Sequence, residues 1–101
     1  MPTDFDSAIW NLLRRIPKGK VTTYERIAIA LGKPNAARAV GNACNRNPFA
    51  LKVPCHRVVC SNAGIGGYSK GAKRKIALLK SEGIRIKNNK VLLFSERLFK
   101  F

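Results

Sequence analysis

A chain of 101 residues with 20 Lys and Arg against 5 Asp and Glu carries a formal charge of +15. Self-repulsion on that scale is costly in so small a body, and a phosphate partner that releases its counterions is the physical reason to keep it. With 46% of its residues hydrophobic the chain is not a disordered basic tail, and no apolar run approaches the ~20 residues that cross a bilayer.

The opening MPTDFDS is acidic where a secretory signal is basic, so the chain is expected inside the cell. Cys44, Cys55 and Cys60 are then reduced thiols. They form no CxxC pair, and one histidine is too few for an ordinary zinc site, so neither metal nor other cofactor is expected. In TDFDSAIWNLLRRI, residues Phe5, Ile9, Leu12, Leu13 and Ile16 make one helical stripe, with Thr3 as N-cap and Asp6 three residues on. PKGK closes that helix. TTYERIAIALG repeats the pattern: Thr22 and Glu25 read as a capping box, Tyr24, Ile27, Ala28 and Leu31 share a face, and Gly32 is the stop. After KPN, AARAVGNACN is a third helix with Ala36, Val40, Ala43 and Cys44 inward.

Two short helices about a turn of about four residues have the form of a helix-turn-helix. The outward face of the second carries Arg38, Gly41, Asn42 and Asn45, one cation among small side chains that let a helix backbone come close to a groove. The remaining basic residues run from Arg14 to Lys100, interleaved with apolar positions, as on a folded basic face.

KVPCHRVVC then sets the only histidine beside a cysteine. On a regular strand Cys55 and His56 would point to opposite faces. Pro54 has no N–H to give a ladder, and a turned backbone, or one bridging water, would bring imidazole and thiol together. A thiol beside a base and a cation is a recipe for an activated nucleophile; a merely buried apolar cysteine is the alternative, and is the reading for Cys44 and Cys60. SNAGIGGYSKG is a glycine-rich loop. AKRKIALLKSEG is the last helix, with Ala72, Ile76 and Leu79 inward and Gly83 as stop. Glu82 sits at its C-terminal end, where the dipole disfavours a carboxylate by a few tenths of a kcal/mol. It is either the group that orients His56 or a solvated acid near Lys80 and Arg85. IRIKNNKVLLF alternates about Asn88-Asn89 as a hairpin would. With no repeats and no linker, residues 1–101 read as one α+β, mostly helical, winged-helix-like domain with a helix-turn-helix and a short β segment.

Pro54-Cys55-His56-Arg57-Val58 resembles the active-site motif of the O6-alkylguanine-DNA alkyltransferases, the methylated-DNA–protein-cysteine methyltransferases. GKVTTYERIA, NAARAVGNA, RNP and GIGGYSKG resemble the same family's DNA-binding and pocket segments, from about Phe5 to Ile86. The resemblance implies irreversible transfer of an alkyl group from O6-alkylguanine in double-stranded DNA to Cys55, by a monomer consumed in the act. It implies that His56 deprotonates Cys55 through a water, that Glu82 orients His56, and that Tyr24 helps turn out the nucleotide and assists the leaving guanine. Arg38 is the implied finger that fills the vacated place in the duplex, on a minor-groove helix whose DNA-contacting set is Ala36, Ala37, Arg38, Gly41, Asn42 and Asn45. Asn47 ties the helix pair to the active-site segment. Pro54, Val58, Tyr68, Ser69 and Lys75 complete the pocket with Tyr24 and Asn47, and the carbonyls of Cys55 and Val58 accept the guanine amino group. The place of action is the cytoplasm, at the nucleoid of a prokaryote, or the nucleus of a eukaryote.

Two departures stand out. The N-terminal domain of two-domain members is expected to be absent, as in the alkyltransferase-like proteins, which bind alkylated guanine without repairing it and usually have Trp in place of the acceptor. Cys55 is retained here, so transfer comes first, lesion recognition second, and a winged-helix regulator third. Lys70 stands where some members have Gly, and its length would narrow the pocket against bulky adducts.

Overall fold

Thr3 opens the first helix: its Oγ accepts the Asp6 N–H at 3.0 Å, and α1 runs Asp4–Leu13. The structure, a computed structural model, describes residues 3–49 and 52–101. Of the predicted stripe Ile9, Leu13 and Ile16 are buried and Phe5 and Leu12 partly so, and Trp10, outside it, is buried with them. β1 (Thr22–Thr23) leads directly into α2 (Tyr24–Ala30), and α3 (Ala37–Asn45) follows across a short turn. Ile27, Ala28, Val40 and Ala43 close the helix pair against α1 in one apolar cluster. The Trp10 indole N–H donates to the Ala43 carbonyl at 3.0 Å, which gives its one polar atom a partner inside that cluster. At the rim, Arg46 grips Asp6 through both carboxylate oxygens, 2.6 and 3.1 Å, and its guanidinium holds the Asp6 carboxyl below the usual range.

The chain returns in β2 (Val58–Val59), parallel to β1, with Thr22 opposite Val58 and Thr23 opposite Val59. A parallel pair needs a long crossover, and α2 with α3 supplies it. Val21, Val59, Leu79, Ile84 and Val91 form a second cluster beneath α4 (Ala72–Ser81). β3 (Ile86–Lys87) and β4 (Lys90–Val91) make the expected hairpin, its two turn residues Asn88 and Asn89 both left-handed at φ 52° and 59°. Asparagine tolerates that region better than most side chains. The protein is a small, mostly helical α+β fold.

Three expectations need correcting. Thr23, not Thr22, caps α2: its Oγ1 accepts the Arg26 N–H at 3.0 Å, while the Thr22 hydroxyl is buried in β1 with no hydrogen-bond partner among the described residues. In α4 the inward positions include Lys75, fully buried, whereas Ala72 is exposed. Beyond the hairpin lies a short helix, α5 (Phe94–Arg97), that the sequence reading did not anticipate. The tail after it lies alongside β1: the Val21 N–H donates to the Arg97 carbonyl at 2.8 Å and the Phe99 N–H to the Val21 carbonyl at 2.7 Å. No helix among the described residues is long and apolar enough to cross a membrane.

The two threonines make a discriminating pair. Thr23→Ala removes a cap and is expected to cost about 1 kcal/mol. Thr22→Val keeps the branched shape and removes an unpaired buried hydroxyl, so it is expected to be neutral or to stabilise by up to about 1 kcal/mol. Urea denaturation of both variants checks this; the reverse order would return the cap to Thr22.

Candidate active site

Pro54 decides the backbone of the cysteine segment. Its φ of −78° and ψ of 67° make a tight three-residue turn closed by the Cys55 N–H on the Val53 carbonyl at 2.8 Å. A 3-10 turn, Cys55–Arg57, follows before β2 begins. Cys55, His56 and Arg57 thus leave one turn, not alternate faces of a strand, and all three are buried.

His56 Nε2 lies 2.9 Å from Glu82 Oε2. Arg57 donates twice to the same carboxylate, Nε to Oε1 at 2.9 Å and Nη2 to Oε2 at 2.8 Å, and its Nη1 donates to the Ile16 carbonyl at 2.6 Å. Burial works to raise the Glu82 pKa, but the hydrogen bonds from Arg57 and His56 outweigh it, and the carboxyl is held below its ordinary value. Burial dominates at His56 and pushes it below the usual histidine range, only partly opposed by Glu82. A neutral imidazole beside an ionised carboxylate puts its proton on Nε2, facing Glu82. Nδ1, buried and without a hydrogen-bond partner among the described residues, is therefore the free acceptor. Of the two readings of Glu82, the geometry pairs it with His56 and Arg57; among the described residues it forms no ion pair with Lys80 or Arg85.

Tyr24, the first residue of α2, packs its ring between α3 and the glycine-rich loop. A Cβ on Gly66 would stand 3.2 Å from the Tyr24 hydroxyl, and Gly66 has φ +72°, so two constraints call for glycine there. The Tyr24 hydroxyl points at the Gly67 carbonyl at a long 3.5 Å. Burial raises its pKa, so at neutral pH it is a proton-bearing donor. Lys75 Nζ donates to the Val58 carbonyl at 2.6 Å and to the Gly67 carbonyl at 3.0 Å, and lies 5.8 Å from the Tyr24 ring centre. Burial pulls it down to about 8, against the pull of the three nearby thiols. Burial pushes Cys44 up to about 12, which leaves that thiol inert.

The other expected site residues fall in two groups. Asn47 spans from the end of α3 to the cysteine segment, Nδ2 donating to the Val53 carbonyl at 2.7 Å while Oδ1 accepts the Phe49 N–H at 2.8 Å. Pro54 is buried, Tyr68 is half-buried against the first core cluster, and Ser69 and Lys70 are exposed on the loop beyond it. The Cys55 carbonyl accepts the Val58 N–H and the Val58 carbonyl accepts Lys75, so each keeps one lone pair for another donor. On α3, Ala36 is the N-cap without a side-chain cap bond; Ala37 is half-buried, Gly41 faces the Tyr24 ring, and Arg38, Asn42 and Asn45 are exposed. Arg57, expected as the cation beside the thiol and the base, gives its donors to Glu82 and the Ile16 carbonyl. Its signal in the sequence was a cation two residues from Cys55 in a chain with very few acids to pair it.

Residues 4–84 match the family described as "6-O-methylguanine DNA methyltransferase, DNA binding domain". The chain belongs to this family. It is 51% identical over 81 residues to the methylated-DNA–protein-cysteine methyltransferase of Methanosarcina acetivorans, covering 80% of this chain and 52% of that protein. It spans about half the length of the curated relatives it matches. Mycobacterium tuberculosis OGT in complex with DNA superposes with a TM-score of 0.79 at 46% identity, over 81% of this chain and 51% of that one. S. pombe Atl1, in complex with damaged DNA containing O6-carboxymethylguanine, superposes with a TM-score of 0.85 at 34% identity over all of both chains.

Arg57 is the test of the site's framework. Arg57→Met keeps the length and the apolar stem but leaves Glu82 with one partner and the Ile16 carbonyl with none. Breaking a buried, hydrogen-bonded charge pair costs on the order of 3–5 kcal/mol, and a urea titration is expected to show a loss in that range. A loss under about 1 kcal/mol would mean that water replaces the guanidinium without consequence.

Proposed function

We propose that the chain repairs DNA by moving the alkyl group of an O6-alkylguanine onto the Cys55 sulfur, once per molecule and irreversibly. The observation that carries this reading is a cysteine on a buried turn whose next residue is a neutral histidine, oriented by Glu82 and left with a free acceptor at Nδ1. In this reading the Cys55 proton passes to His56 Nδ1 through a water, and the ring charge that forms is stabilised by Glu82. The thiolate attacks the alkyl carbon, the sulfur–carbon bond forms, and the carbon–oxygen bond breaks with its electron pair going to the guanine. Tyr24 holds a hydroxyl proton for that departing oxygen or ring nitrogen. The product is a thioether with no easy return, so the enzyme is spent.

The alkylated oxygen lies inside the duplex, and the nucleotide must be turned out before the thiol can reach it. The exposed face of α3 is the surface for that work: Asn42, Asn45 and the small side chains approach the minor groove, and Arg38 fills the gap. One domain thus carries both the DNA-contacting helix and the thiol, acting as a monomer on the genome in the cytoplasm or nucleus. Lys70, exposed at the loop rim, narrows entry for bulky adducts. Lesion recognition without transfer is the second reading, and the end-to-end match to Atl1 supports it; the thiol at position 55 favours transfer.

Intact-mass measurement after mixing with an O6-methylguanine duplex separates the two. One methyl mass per molecule is expected, mapped to Cys55 and not to Cys44 or Cys60, and Cys55→Ala should bind DNA but gain nothing. Tight binding of the damaged duplex by the parent chain, with no mass gain, would leave lesion recognition standing.

Arg38 and His56 are told apart by substrate. Flipping costs a few kcal/mol, and each 1.36 kcal/mol is tenfold in rate. Arg38→Ala should therefore lose on the order of tenfold or more on duplex DNA while keeping the parent's rate on free O6-methylguanine, where nothing is flipped. His56→Ala should lose alike on both. Equal losses on both substrates for Arg38→Ala would place that residue in the pocket's support and end the finger role.

A further inference from the structure

A groove of about 490 Å³ opens on the side of α2 turned away from the Tyr24 face. Its floor is apolar: Ile29 and Ala30 from α2 line it with Phe94 from α5 and Leu98 and Phe101 from the tail. Ile29 is 55% exposed, and Leu93, next in the chain to Phe94, is 53% exposed, high values for large apolar side chains on so charged a surface. Arg26 and Lys100 flank the floor against one acid, Glu25, which already accepts from the Ser61 hydroxyl at 3.3 Å. The tail that builds one wall lies beyond residues 4–84, the part matched to the family model, although the superposition on S. pombe Atl1 extends over it.

The tail is also the edge of a sheet. Val21 pairs in parallel with Leu98, using the Arg97 carbonyl and the Phe99 N–H. In that pattern the N–H and C=O of Leu98 itself point away from β1, and neither has a backbone partner among the described residues. An edge with free backbone groups beside an apolar trough is the arrangement that accepts an added strand.

We infer that this groove docks an extended, acidic peptide segment of another protein, its backbone paired to Leu98 and its alternate apolar side chains seated between α2 and the tail. Charge selects the occupant. A second copy, itself carrying a net +15, would approach with like charge. A DNA backbone would set its phosphates against the apolar side chains of Ile29, Phe94 and Leu98, which offer no charge and no side-chain donor. A segment alternating acidic and apolar residues meets Arg26 and Lys100 with one face and the trough with the other. The groove uses neither Cys55 nor the exposed face of α3, so docking is compatible with bound DNA.

The test pans a random phage-displayed peptide library on the protein saturated with undamaged duplex DNA, then titrates the enriched peptides as synthetic probes. Sequences alternating apolar residues with Asp or Glu are expected, with affinity at least tenfold weaker for Ile29→Glu and for Arg26→Glu, and with slowed amide exchange at Leu98. Both substituted side chains are exposed, and unchanged alkyl transfer and thermal midpoint would certify that the variants fold. Failure to enrich acidic-apolar sequences, or enriched peptides indifferent to Ile29→Glu, would overturn the inference. So would a loss of duplex affinity in Arg26→Glu and Ile29→Glu as large as the loss for peptide, which would assign the groove to DNA.

Discussion

Three separate parts of the chain meet on the Arg57 guanidinium. It reaches the Ile16 carbonyl just past α1, the carboxylate that closes α4, and, through that carboxylate, the ring of its own neighbour His56. The 3-10 turn that carries Cys55 has no side-chain cap of its own. Its direction is set instead by where His56 and Arg57 must go. Desolvating a guanidinium and a carboxylate is costly, and the mutual attraction offsets that cost only when the geometry is bidentate and the remaining atoms are satisfied. Here both conditions hold, with the Ile16 carbonyl as the third acceptor contact. The same pair that fixes the turn also keeps Glu82 ionised, and the ionised Glu82 fixes the tautomer of His56. Framework and chemistry therefore rest on one set of hydrogen bonds.

What was readable in the sequence was what is local. α1, α2 and α3 announce themselves through apolar spacing and capping hydroxyls, because both signals lie within a few residues. The Asn88-Asn89 hairpin is local in the same sense. The choice between Thr22 and Thr23 was not, since adjacent threonines offer one capping pattern and only the register against Val58, 36 positions away, assigns Thr22 to the strand. The tail's place beside Val21 depends on a pairing, Val21 with Leu98, more than twice as distant in sequence. Lys75 escaped a reading that counts apolar positions, because nothing in its spacing says that an inward lysine has two carbonyls waiting. At the site, Pro54 beside Cys55-His56 signalled a turned backbone, and the scarcity of acids drew attention to Glu82. Arg57 was legible as the cation beside the thiol and the base, but its partners, Glu82 25 positions on and Ile16 41 positions back, were not.

Positive charge does two different kinds of work in this molecule. Most of it stands in solvent, where it is screened and acts on a polyanion at long range. Arg57 and Lys75 are inside, and there the charge acts through directed hydrogen bonds. Lys75 joins the end of the cysteine segment at Val58 to the glycine-rich loop at Gly67, across the ring of Tyr24. Burial pulls it down to about 8, so the strength of that tie is itself sensitive to alkaline pH. A lysine kept inside at such a cost belongs to the packing of the pocket more than to any solvent-facing field.

The same contrast between burial and contact separates the three thiols. They are near enough to influence Lys75 together, yet their surroundings differ. Cys44 is sealed in the first core cluster and burial pushes it up to about 12, so thiolate is scarce there at neutral pH and attack on an alkyl carbon is correspondingly slow. Cys60 follows β2 and its sulfur, like the Tyr24 hydroxyl, lies close to Gly66, with no histidine beside it in the chain. Cys55 alone is followed by a histidine whose second nitrogen is committed to a carboxylate and whose first is free. Residue type does not distinguish these cysteines. What does is the neighbouring side chain: Glu82, itself gripped by Arg57, holds the His56 ring by Nε2 and leaves Nδ1 without a partner among the described residues.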